Sequence, residues 1–339
     1  MAEQSLEAGP RLRRSAFALL VALLAAALTL AACGGDDNGS GGGGSSSQAN
    51  KPATLNVGVI PIADVAPLYL GIKKGFFKEQ NLTVNPKLAE GGAAITPAVL
   101  SGDFQIGFSN NISLLIASSK GLPVQVISQG VLGGKDKSEA WADLLVLKDG
   151  PIKNGKDLEG KTIAVNTLKN ICEVTIKASL QKEGVDVNKL KWIEVPFPDM
   201  NAALESGRVD AAFQVEPGYS GGLAAGSKNL VNAYEEMAEN YTVATYFASK
   251  QYIAENRDVV DRFVRAMEKS LDHASSHPDQ VRAIVGTYTE IPQEVLDQMN
   301  LPVWKADLNE PTIEQTAEKA KEYGFIEESP DLDALILRD

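Results

Sequence analysis

The chain is poor in the residues that most enzymes use for chemistry. It has 2 histidines and 2 cysteines among 339 residues, so histidine-based triads have almost no material and no disulfide framework is expected. His273 and His277 stand four apart before Pro278 with no acidic residue between them. A helix C-terminus favours histidine without any metal, and no metal site is expected. Cys172 reads as a small buried apolar side chain early in a helix. P-loop and dinucleotide fingerprints are missing, so no cofactor is expected. Gly107-Phe108-Ser109-Asn110-Asn111 lacks the second glycine of a nucleophile elbow. Basic residues are also short: 32 against 44 acidic ones, for a net charge of −12. Without a basic stripe, nucleic acid is excluded as a partner.

What is present begins with a leader. Arg11, Arg13 and Arg14 precede an apolar run from Ala16 to Ala32, the layout of a secretory signal. Leu30-Ala31-Ala32-Cys33 resembles a bacterial lipobox. That resemblance implies that Cys33 carries diacylglycerol and becomes the mature N-terminus. The alternative is a membrane-spanning anchor, but a run of about 17 residues is at the short limit for a span. No basic flank follows it. Residues 34–52 form a Gly/Ser-rich tether with a random-coil reach of about 20–25 Å. The expected location is the cell membrane, on its extracytoplasmic side, lipid-anchored through Cys33. A monomer is expected.

Roughly 285 residues remain beyond the tether, enough for two lobes or one large domain, and a 44% hydrophobic fraction supports a core. Strand-like runs begin at Thr54–Ile60, Leu82–Leu88, Gln105–Phe108 and Pro123–Ser128. Helical stretches separate them. The series repeats with Leu144–Leu147, Thr162–Val165, Trp192–Val195 and Ala211–Gln214. Alternating strands and helices predict an α/β fold with mostly parallel sheets. From about Tyr241 onward the pattern reads as helical. Leu100-Ser101-Gly102-Asp103-Phe104-Gln105-Ile106-Gly107-Phe108 has the layout of Glu205-Ser206-Gly207-Arg208-Val209-Asp210-Ala211-Ala212-Phe213. Each is a helix end, a Ser-Gly stop and a short strand. Two similar lobes facing a cleft are therefore predicted. Residues 53–135 with 243–339 form one, and residues 136–242 the other.

Further residues carry a family resemblance. They are Pro67-Leu68-Tyr69, Gly75-Phe76-Phe77-Lys78-Glu79-Gln80-Asn81-Leu82, Gly91-Gly92-Ala93-Ala94, Asp157-Leu158-Glu159-Gly160-Lys161 and Gly207-Arg208-Val209-Asp210 with Glu216-Pro217. Together they resemble periplasmic solute-binding proteins of the nitrate, sulfonate and taurine type, and relatives that bind pyrimidine precursors of thiamine. The resemblance implies a two-lobed periplasmic-binding-protein fold that closes on a small-molecule solute and delivers it to the permease of an ABC importer. An enzyme resembling the thiamine-pyrimidine synthases is the other reading. The His- and Cys-containing signature of that chemistry has no match in this sequence.

In open α/β sheets, ligands bind beyond the carboxyl ends of strands. Loops at those positions supply the candidate ligand-binding residues Asp64, Gly91, Gly92, Ala93, Ser109, Asn110, Asn111, Thr167, Lys169, Asn170 and Glu216. Tyr69 joins them through the family resemblance. Helix N-termini there favour anionic groups. Ser109, Asn110 and Thr167 also suit plain helix caps, Gly91-Gly92 a plain turn, and Tyr69 packing. Lys169 suits a sulfonate, whereas Asp64 and Glu216 suit an amine or an aminopyrimidine. The sequence leaves these alternatives open.

Overall fold

The computed structural model describes residues 50–338. The leader, Cys33 and most of the tether lie outside them. The first half of the body contains β1 (Ala53–Val59), α1 (Ala66–Lys74), α2 (Phe76–Glu79), β2 (Leu82–Leu88), α3 (Gly92–Ser101), β3 (Ile106–Asn110), α4 (Asn111–Ser119) and β4 (Val124–Leu132). A second series follows with β5 (Ala142–Leu147), β6 (Thr162–Val165), α5 (Ile171–Lys182), β7 (Lys191–Glu194), α6 (Phe197–Glu205), β8 (Ala211–Val215), α7 (Gly218–Ala224) and β9 (Ser227–Asn229). β10 (Thr242–Ser249) then returns to the first sheet. Helices α8 (Lys250–Glu255), α9 (Arg257–Ser276), α10 (Pro278–Val285), α11 (Gln293–Gln298), α12 (Glu310–Glu322) and α13 (Leu332–Leu335) complete the chain.

The strands form two five-stranded sheets, ordered β2-β1-β3-β10-β4 and β7-β6-β8-β5-β9. In each, the first three strands are parallel and the fourth is antiparallel to the third. This is the two-lobed α/β architecture that the alternation predicts. The matched Ser-Gly segments have matched roles. Gly102 and Gly207 end α3 and α6 in the left-handed conformation, at φ 86° and 72°, where a side chain is strained. The backbone N–H of Gln105 then bonds the Asn56 carbonyl, and that of Asp210 the Thr162 carbonyl. In this way β3 starts alongside β1, and β8 alongside β6.

The helical reading after Tyr241 fails for Thr242–Ser249. This stretch is a strand, inserted antiparallel between β3 and β4. All eight of its residues are buried, so it shows no alternation of apolar and polar positions. Its content of Thr, Val, Tyr and Phe was the remaining strand signal.

Two chain crossings join the sheets, between β4 and β5 and between β9 and β10. Gly133 N–H donates to the Tyr241 carbonyl at 2.8 Å, and Trp141 Nε1 donates to the Leu132 carbonyl at 3.1 Å. The rings of Trp141, Tyr234 and Tyr241 pack in sequence, at 5.3 and 6.2 Å between centroids. The C-terminal segment bridges both halves, since α12 packs against α4 and α5. Among the described residues, no helix is long and apolar enough to cross a membrane.

Candidate functional site

The carboxyl ends of β1, β3, β6 and β8 converge where the two sheets face each other. A cavity of about 30 Å³ lies there, lined from one side by Asp64 and Asn110 and from the other by Asn166, Asn170 and Cys172. A wider cavity of about 530 Å³ adjoins it, with Gln214, Glu216 and Tyr288 in its wall. A third, of about 240 Å³, lies along Glu90 and Pro196. Phe197, the first residue of α6, borders all three.

Asp64 sits in the turn Ala63–Val65 that follows β1 and is 4% exposed. Its backbone carbonyl accepts Trp304 Nε1 at 3.1 Å, which pins the turn. Its Oδ1 is buried and has no hydrogen-bond partner. Burial pushes the carboxyl up from 3.8 to about 7, against a smaller opposing effect from a backbone hydrogen bond.

Glu216, at the end of β8, is the second buried carboxylate. Ser220 Oγ donates to Oε1 at 2.6 Å, Ser220 N–H to Oε2 at 3.1 Å, and Asn300 N–H to Oε1 at 3.1 Å. Burial raises this group to about 7, and the three donors and Arg282 oppose the rise. The Glu216 carbonyl accepts the N–H of Ala63 at 2.8 Å. That bond joins the loop after β1 to the loop after β8.

Gly91 and Gly92 act by close approach. A Cβ at Gly91 would stand 2.8 Å from Thr167 Cγ2 and 2.9 Å from Asn166 Nδ2 on the opposite lobe. Asn166 Nδ2 itself donates to the Glu90 carbonyl at 3.1 Å. A Cβ at Gly92 would overlap Ser109 Oγ. No side chain caps α3 at Gly91. Asn170 caps α5, its Oδ1 accepting the N–H groups of Cys172 and Glu173 at 3.0 and 3.3 Å. Asn170 Nδ2 donates to Asn166 Oδ1 at 2.6 Å and to Thr167 Oγ1 at 3.3 Å. Asn110 caps α4 through Ser113 N–H at 3.0 Å.

The remaining candidates have other surroundings. Asn111 donates to the Thr242 carbonyl at 2.7 Å and accepts Thr245 Oγ1 at 3.2 Å, which ties α4 to β10. Ser109 Oγ donates to the Asn110 carbonyl at 3.1 Å. Tyr69 stacks on Tyr288 at 4.1 Å, and Tyr288 OH donates to the Ile62 carbonyl at 3.1 Å. Lys169 does not line the three cavities around Asp64 and Glu216. Its backbone is left-handed at φ 53°, its N–H goes to Glu173 Oε1 at 2.7 Å, and its side chain lies with Ala93 and the exposed Leu168 in an outer groove. Of the residues lining the three cleft cavities, none is Lys, Arg or His, while four are Asp or Glu.

Sequence reasoning missed Phe197 and Tyr288, which line the cavities; Asn166 opens the loop 166–170 that it reached. Phe197 stands in Pro196-Phe197-Pro198 just past β7, so the rule that selected the other loops reaches it too. Tyr288 comes from the helical C-terminal third and carries no local signal. His273 and His277 stack on each other at 3.9 Å, and His277 Nδ1 pairs with the His273 carbonyl at 2.8 Å. Cys172 is buried in the cavity wall, and burial pushes its thiol far up, the state of an unreactive thiol.

Comparison with known proteins agrees with this architecture. The family model described as NMT1/THI5 like matches residues 62–281. The taurine-binding periplasmic protein of Escherichia coli is 28% identical over 207 residues, which span 60% of this chain and 61% of that protein. A 4-amino-5-hydroxymethyl-2-methylpyrimidine phosphate synthase of Aspergillus parasiticus is 25% identical over 63% of this chain and 64% of its own length. The alkanesulfonate-binding protein SsuA of Xanthomonas axonopodis pv. citri, solved with MOPS bound, superimposes with a TM-score of 0.71. It does so at 16% identity, over 85% of this chain and 99% of that one. Two sheets of one strand order, a cleft at their carboxyl ends and a family match over most of the body lead to one conclusion: the chain belongs to the NMT1/THI5-like family.

Proposed function

We propose that this protein is the extracytoplasmic solute-binding component of an ABC importer. It captures a small solute of the sulfonate, nitrate or taurine kind, or an aminopyrimidine, between two lobes. The observation that carries this reading is the cleft itself. Loops from both sheets meet there through Ala63–Glu216 and Glu90–Asn166 hydrogen bonds, and Phe197 borders both a small inner cavity and a wide outer one. The lobes comprise residues 53–135 with 243–339, and residues 136–242, with the Trp141–Tyr234–Tyr241 stack at the crossings between them. Ligand binding shifts the population toward the closed arrangement.

Delivery to a permease and anchoring through a lipid on Cys33 complete the proposal. Two acyl chains hold a protein stably at a membrane where one does not. Cys33→Ser therefore releases a binding-competent protein from cells. A variant that stays in the membrane fraction counts against the lipid anchor. Catalysis is the competing reading, because pyrimidine phosphate synthases are among the relatives. It is disfavoured by the scarcity of histidine and by the hydrogen-bonded, unreactive setting of Cys172.

A thermal-shift screen of the purified chain tests the reading. It covers taurine, alkanesulfonates, nitrate, aminopyrimidines and aromatic acids. A solute at 100 times its Kd adds about 2.7 kcal/mol. Small-angle scattering with and without that solute then reports closure. Identical profiles rule out the two-lobed capture mechanism, and turnover of the bound compound favours an enzyme.

A further inference from the structure

The polar atoms left unpaired in the cleft wall share one chemical character. Asp64 Oδ1 lines the inner cavity and Gln214 Oε1 the outer one. Both are buried, and neither has a hydrogen-bond partner. The amide of Gln214 is oriented by its Nε2, which donates to the Phe197 carbonyl and to Asn201 Oδ1, both at 3.1 Å. Its Oε1 is therefore an acceptor. The other polar groups of the inner wall satisfy one another: Asn166, Thr167 and Asn170 bond among themselves, and Asn110 bonds Ser113. No Lys, Arg or His lines any of these three cavities; Lys120 and Lys169 line a separate groove beside α3.

A buried acceptor without a donor costs free energy that a ligand can return. Resting on the reading of this cleft as a solute site, we infer that the solute carries an amino or other N–H group, which donates to Asp64 Oδ1 in the inner cavity. The body of the solute extends past Phe197 toward Gln214. Bare anions without such a group are rejected. An anionic end, where the solute has one, meets helix N-termini such as that of α3.

The inner cavity of about 30 Å³ suits this division. It is far smaller than the cavity beside it, so it takes the head group of the solute. The adjoining 530 Å³ has room for the remainder.

Matched pairs of compounds test the inference on the full chain by titration calorimetry: taurine with ethanesulfonate, 4-aminopyrimidine with pyrimidine, and butylamine with butane-1-sulfonate. The amine-bearing member of at least one pair binds about 100-fold or more tightly than its partner, as expected where a site hydrogen-bonds a group that the analogue lacks. Asp64→Asn cuts that ratio at least tenfold. A melting curve of the variant establishes that it is folded. An amine-free member, or nitrate, that binds as tightly as any amine overturns the inference while leaving solute capture intact. A ratio unchanged in folded Asp64→Asn also overturns it. If no probe of either kind binds, the solute-site reading fails and this inference with it.

Discussion

The first sheet and the second sheet place their strands in the same order, yet they treat their buried carboxylates differently. Glu216, at the end of β8 in the second, is enclosed by three donors from Ser220 and Asn300. Asp64, after β1 in the first, leaves one oxygen without any. Burial lifts both groups to about 7, so the shift alone does not tell them apart. The hydrogen bonds do. One carboxylate is part of the joint between α7 and the C-terminal segment, and the other lines the inner cavity with a buried, unpaired oxygen. Twin frameworks thus leave freedom at the strand ends, where a loop is either consumed by packing or kept for a ligand.

The comparison breaks most readily at the glycines. Gly92→Val drives a side chain into Ser109 within one lobe and lowers stability by about 3 kcal/mol, the upper part of the overpacking range. Chemical denaturation measures it. Gly91→Val instead meets Thr167 and Asn166 across the cleft. The free chain then opens, its radius of gyration rises, and its unfolding midpoint changes less than that of Gly92→Val. Equal losses of stability in the two variants argue against Gly91 being a contact between lobes.

Phe197→Ala comes next. Phe197 is 8% exposed and, with Ile62 and Val215, lines both the inner cavity and the outer one. Its removal costs about 2 kcal/mol, less than for a fully enclosed phenylalanine, and merges the two spaces. Ligands with bulkier amine ends then gain affinity relative to taurine, and a competition series reads the change.

Burial raises both carboxylates, so both favour the folded chain at low pH, but their substitutions should act with opposite signs. Asp64 is raised from 3.8 to about 7 in the folded chain. The folded state therefore prefers the proton, and stability is lost as pH rises between about 4 and about 7. The groups that feel the field of Asp64 are Cys172 and the tyrosines Tyr234, Tyr246 and Tyr288. None of them supplies a positive charge. Asp64→Asn removes the penalty, so its melting temperature at pH 8 rises by about 5 °C, with a smaller gain at pH 5. Glu216→Gln turns an amide N–H₂ toward existing donors and destabilises by about 1–2 kcal/mol. Two thermal melts per variant settle the signs.

Lys169→Ala is the mildest change. Its side chain lies in the groove beside α3 and not in the three cavities around Asp64 and Glu216, so solute affinity shifts less than twofold by calorimetry. A tenfold loss returns Lys169 to the binding site.

Much of this organisation could be read from the residues. The Ser101-Gly102 and Ser206-Gly207 stops ended helices in both halves because only glycine adopts the left-handed conformation there without strain. The short β-branched runs after them became the inner parallel strands. Asp64, Asn110, Asn170 and Glu216 were reachable because ligand loops follow strand ends in this class of sheet. Lys169 follows the right strand, but with a positive φ and its N–H bonded to Glu173 it lies in the groove beside α3, apart from the three cavities around Asp64 and Glu216.

Sequence by itself determined the βα alternation, the doubled layout, the lack of material for histidine chemistry and the family, since these rest on local propensity and composition. Only the tertiary structure decided that Thr242–Ser249 is a central strand, because burial on both faces removes the periodicity that would mark it. It also decided which carboxylate is spent on packing and which is left open. Ser220 is four residues from Glu216, but Asn300 is 84 residues away. Whether an oxygen is satisfied depends on partners that only folding brings within 3 Å.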